Sequence, residues 1–315
     1  MTTTEPTAST APTTSTAPTM ATQPFGRIEP DGGTEYVLTI SCPDRPGLVA
    51  DVSRVIFECG GNILESQQFD DRLTERFFMR VHFEVSAGGP DLDALRAAFS
   101  PISTKYAMTW EMWNAHDPYR TLIMVSKFGH CLNDLLFRWS TGALNIEIPA
   151  IVSNHPDLAP LAAAYGIAFH HVPVTPATKA QAETQLRDLL EGLGIHLLVL
   201  ARYMQVLSDD LVLSMPGRVI NIHHSFLPSF KGAKPYHQAF TRGVKLVGAT
   251  AHFVTPELDE GPIIEQDVLR VDHRHTPDEL VTAGQEVESR VLTRAVRRRT
   301  NNRVLLNGDR TVVFS

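Results

Sequence analysis

The chain has little cysteine, no long apolar run and no excess of positive charge. Its three cysteines, Cys42, Cys59 and Cys131, have no metal-binding spacing, so neither a disulfide framework nor a structural zinc site is expected. No run reaches the roughly 18 apolar residues of a membrane span, and the first residues lack the basic and apolar regions of a secretory signal. We therefore expect a cytoplasmic location and no membrane partner.

The charge balance excludes another class of partner. The net charge is −7 and the pI is about 6.0, whereas nucleic-acid binding proteins usually carry a basic surface. We therefore expect no nucleic-acid partner. The 43% hydrophobic and 20% charged composition is typical of a soluble globular protein, and 315 residues allow two domains with separate cores.

Changes in composition divide the chain into four parts. Residues 1–33 are dominated by Thr, Pro, Ala and Ser and are predicted to form a disordered tail. Residues 34–114 alternate as βαββαβ, which predicts a ferredoxin-like domain with helices on one face of a sheet. Residues 115–119 are predicted to be a linker because they are short, polar and contain proline. Residues 120–315 alternate strand and helix, which predicts an α/β, Rossmann-like domain with a mostly parallel sheet.

Polar side chains gather at the end of the strand predicted over residues 218–222. Asn221, His223 and His224 supply an amide and two imidazoles, and Asp259 follows in a turn after the next strand. Because side chains alternate along a strand, Asn221 and His223 are predicted to share one face and His224 to take the other. An amide donor, an imidazole and a carboxylate at neighbouring strand ends suit acyl-transfer chemistry. The catalytic candidates are therefore Asn221, His223 and Asp259.

Two alternatives to catalysis stay open for these residues. A single Asn or His at a strand end is more often a structural polar residue. A metal could also gather His223, His224, His252 and Asp259. However, no familiar metal-ligand spacing such as His-Glu-x-x-His is present, and we expect no metal. The sequence assigns no role to Tyr236 or His237, and for His252 it allows a core or supporting role at least as readily as a metal-binding one.

Three motifs around these residues resemble those of one enzyme family. Asn221-Ile222-His223, His252-Phe253-Val254 and Asp259-Glu260-Gly261-Pro262 stand in the order found in formyltransferases that use 10-formyltetrahydrofolate. The resemblance covers about residues 35–315 and is strongest to the formyltetrahydrofolate deformylase branch.

This resemblance implies hydrolysis of 10-formyltetrahydrofolate to formate and tetrahydrofolate. Such a hydrolase supplies formate for purine synthesis, balances one-carbon folate pools and needs no cofactor, since the folate is its substrate. Asn221 and a protonated His223 would stabilise an oxyanion, and Asp259 would orient His223 and hold the attacking water. Formyl transfer to an amine such as glycinamide ribonucleotide is the alternative. Folate sensing without catalysis is disfavoured by the intact catalytic set.

The resemblance also implies a folate pocket next to the catalytic candidates. The implied substrate-binding residues are Arg202, Tyr203, Met204, Gln205, Val206, Leu207 and Gly232. Without the resemblance, the apolar members would be assigned to the core, and the sequence pattern predicts a helix over residues 205–214.

The turn after the first strand of the second domain bears on the acceptor. In transferases that formylate glycinamide ribonucleotide, a Gly-Ser-Asn loop here offers backbone N–H groups to a phosphate. Residues 126–133 of this chain read Ser-Lys-Phe-Gly-His-Cys-Leu-Asn, in which only Gly129 has permissive backbone. Lys127 could still bind an anion, so a phosphate site is weakened. This turn favours water as the acceptor.

The N-terminal domain resembles the ACT domain, a module that binds amino acids between subunits. The turn over residues 44–49 and the glycine pair before Asn62 carry that resemblance, although the glycines could equally serve only a turn and a helix cap. An amino-acid effector and a homo-oligomer are implied. The implied effector-binding residues are Asp44, Gly47, Leu48, Val49, Gly61, Asn62 and Ile63.

Overall fold

The N-terminal sheet comes first along the chain in this computed structural model, which describes residues 1, 32–227 and 235–315. Of the predicted disordered tail, only the first residue and the last two are among the described residues. Gly232 lies outside them. The elements of this part are β1 (Thr34–Pro43), α1 (Leu48–Glu58), β2 (Gly61–Asp71), β3 (Arg76–Val85), α2 (Leu92–Lys105) and β4 (Thr109–Asn114).

These elements form the predicted βαββαβ arrangement. The four strands lie in the order β2-β3-β1-β4 and are antiparallel to their neighbours. Both helices cover the same face, because Val52 of α1 and Phe99 of α2 share one core with Leu38 and Phe83 of the strands. The ferredoxin-like prediction for this part is confirmed.

The second part of the chain alternates strands and helices around a larger sheet. Its elements are β5 (Tyr119–Val125), α3 (His130–Ser140), β6 (Ile146–Glu147), β7 (Ala150–Ser153), α4 (Ala159–Ala164), β8 (Ala168–His171), α5 (Lys179–Gly192), β9 (Leu197–Leu200), α6 (Asp209–Leu213), β10 (Val219–His223), α7 (Pro235–Arg242), β11 (Leu246–Phe253), β12 (Ile263–Arg270) and α8 (Pro277–Thr300). A hairpin of β13 (Val304–Asn307) and β14 (Arg310–Val313) follows.

The eight-stranded sheet has the order β12-β11-β10-β9-β5-β7-β8, with β6 paired to β5. Strands β5 to β10 pair in parallel, whereas β11 and β12 are antiparallel additions at one edge. Ile123 of β5 packs into the core with α3 and α8, and its neighbour Leu122 packs into the opposite core with α5 and α6. The sheet is therefore covered on both faces, as predicted for a mostly parallel sheet.

The C-terminal hairpin joins the two sheets. The amide of Asn307 donates to Asp71 Oδ2 at 2.6 Å, so β13 is fixed to the end of β2. The hydroxyl of Thr311 donates to the carbonyl of Ile263 at 2.5 Å, which fixes β14 to the start of β12. Tyr119, which the sequence places in the linker, is the first residue of β5 and is buried.

The helix predicted over residues 205–214 is shorter than expected. Ser208 is its N-cap, with its side chain accepting from the backbone N–H of Leu211, so α6 begins at Asp209. The residues before Ser208 are not part of this helix. The N–H of Met204 donates to the hydroxyl of Ser126 at 2.9 Å and so fixes this segment to the end of β5. None of the helices in the described ranges combines the length and apolar character of a bilayer span.

Candidate active site

The end of β10 places Asn221 beside the neighbouring strand. Asn221 pairs with His252 in the antiparallel register of β10 and β11, and its amide Nδ2 lies 3.3 Å from His252 Nε2. His252 Nδ1 lies 2.9 Å from the carbonyl oxygen of Phe253, which can only accept a hydrogen bond. The proton of a neutral His252 is therefore on Nδ1, and Nε2 accepts from Asn221. This bond fixes the amide orientation and leaves one N–H of Asn221 for a ligand.

Burial keeps His252 neutral. It lowers the pKa of the imidazole more than the hydrogen bond to Phe253 and the charge of Asp259 raise it. The 3.8 Å separation between His252 Nε2 and Asp259 Oδ1 is therefore a contact of a neutral ring rather than an ion pair. His252 thus positions Asn221, which is one of the roles that the sequence leaves open for it.

Buried His223 and partly buried Asp259 form a pair. His223 Nδ1 lies 3.1 Å from Asp259 Oδ1, and the two side chains are 8% and 18% exposed. The hydrogen bond from His223 holds the pKa of Asp259 below its ordinary value, against the opposing effect of burial. The other ring nitrogen, His223 Nε2, is buried without a hydrogen-bond partner among the described residues. Buried polar atoms are rarely left unpaired, so this nitrogen is available to a bound substrate.

The loop that carries Asp259 needs glycine nearby. A Cβ atom on Gly261 would lie 1.8 Å from the carbonyl oxygen of Phe253, so only glycine lets the loop lie against the end of β11. The N–H of Phe253 donates to the carbonyl of Pro262 at 2.9 Å and completes this contact. Asp259 itself has φ of 58°, a left-handed conformation that Asp and Asn adopt more readily than most residues. The loop geometry thus brings the carboxylate to His223.

A cavity of 620 Å³ opens beside these groups. Its lining includes the three catalytic candidates and all of the described substrate-binding candidates, namely Arg202, Tyr203, Met204, Gln205, Val206 and Leu207. Met204 and Val206 are more than half exposed, so these apolar side chains offer surface to a ligand rather than filling a core. The structure therefore places residues 202–207, the pocket segment, against the predicted catalytic groups.

A buried carboxylate that sequence reasoning missed supports the pocket. Glu288 of α8 is 1% exposed; His130 Nε2 lies 2.7 Å from its Oε2, and the hydroxyl of Tyr236 donates to its Oε1 at 2.6 Å. Arg202 Nε lies 3.3 Å from the same carboxylate. Burial raises the pKa of Glu288, but the bond from His130 and the charge of Arg202 together lower it below its ordinary value. A charged Glu288 thereby holds the first residue of the pocket segment.

One signal in the sequence could have found this carboxylate. Glu288 lies four residues after Gly284, on the buried face of α8. A Cβ on Gly284 would lie 2.1 Å from the ring of Tyr236, so that glycine makes room for the tyrosine which reaches Glu288. An acidic residue in an otherwise apolar helical stripe needs buried partners, and that need indicates a polar network.

Glu288 also belongs to a group of three side chains of the types that bind metal ions. Among the described residues, the ligand atoms of His130, Cys131 and Glu288 lie within 4.8 Å of one another. Burial raises the pKa of the Cys131 thiol far above its ordinary value, so a thiolate ligand is disfavoured. Glu288 is already engaged by Arg202 and Tyr236. The group therefore suits a hydrogen-bonded network better than a metal centre.

His224 lines the same cavity as Asn221 and His223. Lining this cavity does not fix the face of a side chain, because Ile222, which packs with α8 in one of the two cores, lines it as well. The ring of His224 lies 6.5 Å from that of Tyr236, whose hydroxyl donates to Glu288 of α8. β10 ends at His223, and buried Thr250 then bonds the following chain through the carbonyl of Ser225 and the N–H of Leu227. The opposite-face placement of His224 stays a prediction.

The effector candidates lie at two ends of the first sheet. Gly47, with φ of 93°, precedes α1 beside the end of β1, where Pro43 pairs with Arg76. Gly61 starts β2 and pairs with Val85 at the other end of the sheet. Nine residue steps of about 3.3 Å along β1 separate these ends by roughly 30 Å. Within one chain, the Asp44, Gly47, Leu48 and Val49 group and the Gly61, Asn62 and Ile63 group are not brought together.

Known proteins resemble the chain in both parts. The Formyl transferase family model matches residues 119–296, and the ACT domain model matches residues 36–99. A formyltetrahydrofolate deformylase of Corynebacterium sp. (strain P-1) is 51% identical over 279 residues, which are 89% of this chain and 98% of that protein.

Solved structures of formyltetrahydrofolate deformylases and of related transferases also resemble the chain. The crystal structure of formyltetrahydrofolate deformylase from Burkholderia mallei has a TM-score of 0.86 and 54% identity, and the match covers 90% of this chain and 100% of that one. Glycinamide ribonucleotide transformylase 1 from Symbiobacterium toebii has a TM-score of 0.60 and 28% identity, with 64% of this chain and 97% of that one covered. The chain therefore belongs to the formyltransferase family and, by its similarity over most of its length, to the formyltetrahydrofolate deformylases within it.

Proposed function

We propose that the protein hydrolyses 10-formyltetrahydrofolate to formate and tetrahydrofolate. The observation that carries this proposal is the meeting of Asn221, His223 and Asp259 at one wall of the cavity lined by residues 202–207. The similarity to the deformylases of Corynebacterium and Burkholderia mallei supports the substrate. The test is the release of formate from 10-formyltetrahydrofolate when no amine acceptor is present.

The geometry allows a short sequence of steps. A water held by Asp259 attacks the formyl carbon, and the carbonyl electrons move to its oxygen. The remaining N–H of Asn221 and the charged ring of His223 stabilise this oxyanion, and one such donor is worth about 3 kcal/mol of barrier. His223 then protonates N10 as the bond between carbon and N10 breaks. Asp259 stabilises the positive charge of His223 through the Nδ1 bond.

The turn after β5 favours water over an amine acceptor. A Cβ on Gly129 would lie 2.9 Å from the side chain of Leu158, so this turn packs against its neighbour. His130 is bound to Glu288, and the ring of Phe128 lies 5.4 Å from the guanidinium of Arg202. His130 is thus committed to Glu288, and the bulky Phe128 stands where a close backbone cradle for a phosphate would need a small residue, although exposed Lys127 could still bind an anion. Formyl transfer therefore has no anchored acceptor in this proposal.

The cellular context follows from the chemistry. Hydrolysis needs only water and acid–base groups, so no cofactor is part of the proposal. Formate released here would supply purine synthesis and balance the pools of one-carbon folates. Cys42, Cys59 and Cys131 are free cysteines, which suits a reducing compartment such as the cytoplasm.

A second copy of the chain would complete an effector site in the N-terminal domain. Strand β2 is at the edge of its sheet, and Ile63, Leu64 and Phe69 on it are exposed. Long exposed edge strands pair readily with another chain. Antiparallel pairing of two β2 strands about a twofold axis would bring the Gly61 end of one copy beside the Gly47 end of the other. This pairing would join the two groups of effector candidates.

We expect a small amino acid to bind the assembled oligomer and to change the rate of formate release. Calorimetry with each of the common amino acids measures this binding directly. Leu64→Lys places a charge on the free edge of β2 and should weaken both assembly and binding. Absence of binding by every amino acid to a correctly assembled oligomer would remove the regulatory proposal without affecting the catalytic one.

A further inference from the structure

His224 has an uncommitted ring nitrogen in the catalytic cavity. Its Nδ1 is buried and has no hydrogen-bond partner within the described part of the chain. The ring is held edge-on between His223, at 5.1 Å between ring centres, and Tyr236, at 6.5 Å. Tyr236 cannot donate to this nitrogen, because its hydroxyl proton is given to Glu288. The ring is therefore held in position, while its Nδ1 has no partner among residues 32–227 and 235–315.

The surroundings keep His224 uncharged. Burial, followed by the nearby positive charges of Arg202 and His223, lowers the pKa of His224 to about 4. With the ring proton on Nε2, a neutral imidazole presents Nδ1 as a hydrogen-bond acceptor. An acceptor with no partner in a substrate cavity requires a donor from the ligand or from water.

The reaction itself has an unassigned proton. The attacking water has two O–H groups, and Asp259 holds one of them. Asp259 Oδ1 is already 3.1 Å from His223 Nδ1, so the carboxylate is committed to holding the charged ring as well as the water. A second acceptor is needed for the O–H that ionises as the new C–O bond forms.

We propose, on the basis of the proposed function, that His224 is a further catalytic residue that binds the attacking water through Nδ1 and takes its proton. The water oxygen bonds to the formyl carbon, the carbonyl π electrons move to oxygen, and one water proton moves to His224. His223 gives its own proton to N10 as the C–N10 bond breaks, which removes one of the positive charges that lower the pKa of His224. His224 then returns the water proton to His223, and formic acid releases its remaining proton to solvent. Atoms and charges balance without a co-reactant.

Two substitutions and a second nucleophile test this role. His224→Leu removes the acceptor, and we expect kcat for formate release to fall about 100-fold, as loss of a general base commonly does. His224→Asn keeps an acceptor near the position of Nδ1 and should lose less. Calorimetric binding of tetrahydrofolate should be largely unchanged in both. Added hydroxylamine attacks without prior loss of a proton, so His224→Leu should form formohydroxamate at nearly the wild-type rate.

The outcomes separate this inference from the proposed function. Formate release by His224→Leu within about threefold of the wild type would overturn the inference alone. Parallel loss of formate, formohydroxamate and tetrahydrofolate binding would show a structural role and would also overturn it. If His224→Leu does not fold, His224→Asn is compared with His224→Gln, whose amide lies nearer the Nε2 position; equal activity of the two would contradict the Nδ1 role. Wild-type protein that releases no formate would instead remove the proposed function.

Discussion

His223→Ala is expected to lower the rate of formate release by at least about 100-fold, the usual loss when a catalytic acid is removed. In the structure, the imidazole is oriented by Asp259 at 3.1 Å, and its Nε2 is available to the substrate. Alanine removes both the oxyanion donor and the source of the proton for N10. Because the pocket segment does not depend on this ring, binding of tetrahydrofolate should be largely kept. Steady-state formate release and calorimetry measure the two effects separately.

An exposed histidine provides the matched control. His273 is exposed and lies outside the residues that line the cavity, so His273→Ala should leave turnover unchanged. Near-wild-type activity of His223→Ala, with the control behaving as expected, would refute the central role given to His223.

Asp259→Asn is the second substitution with a large expected effect. Asparagine keeps the shape of the side chain and tolerates the left-handed backbone at this position, so the loop should retain its course. It removes the negative charge that stabilises the imidazolium of His223 and holds the water. We expect turnover to fall by about 100-fold or more, with tetrahydrofolate binding retained.

The pH dependence of the protein's stability provides a second test of this carboxylate. The bond from His223 holds the pKa of Asp259 below its ordinary value of 3.8, so the wild-type group stays charged throughout the neutral range. The stability that this depressed pKa contributes is present above about pH 4 and is lost as the pH falls through the folded-state value. In measurements of the free energy of unfolding against pH, Asp259→Asn should lack this loss of stability in acid. The exposed control Asp309→Asn should lose stability in acid as the wild type does. Equal turnover of Asp259→Asn and wild type would exclude the proposed role.

The sequence predicted the fold well because local patterns dominate it. The apolar strands β5 and β9 are nearly wholly buried, as continuous hydrophobic runs of a parallel sheet should be. The capping box of Thr276 and Glu279 is present at the start of α8, where the sequence pattern places a helix start. The pocket segment was less predictable, because the bond from Met204 N–H to Ser126 joins residues far apart in the chain.

The candidate site was predictable only in part, because some of its residues belong to local motifs and others act through contacts between distant segments. Asn221, His223 and Asp259 carry recognisable motifs, and the structure brings them together. The course of the chain after His223 depends on Thr250 of the neighbouring strand, a contact between segments that a local pattern does not reveal. Glu288 acts through partners on three other segments, so its importance is visible only after folding.

Water, rather than an amine, is the proposed acceptor of the formyl group, and the assignment of the protein as a hydrolase depends on it. The most direct measurement supplies 10-formyltetrahydrofolate with and without glycinamide ribonucleotide and quantifies formate and formylated ribonucleotide in each case. We expect formate to be the main product in both mixtures, at a rate that the ribonucleotide does not change. Formylated ribonucleotide as the main product, or no formate without the amine, would contradict hydrolysis and would identify the protein as a transferase.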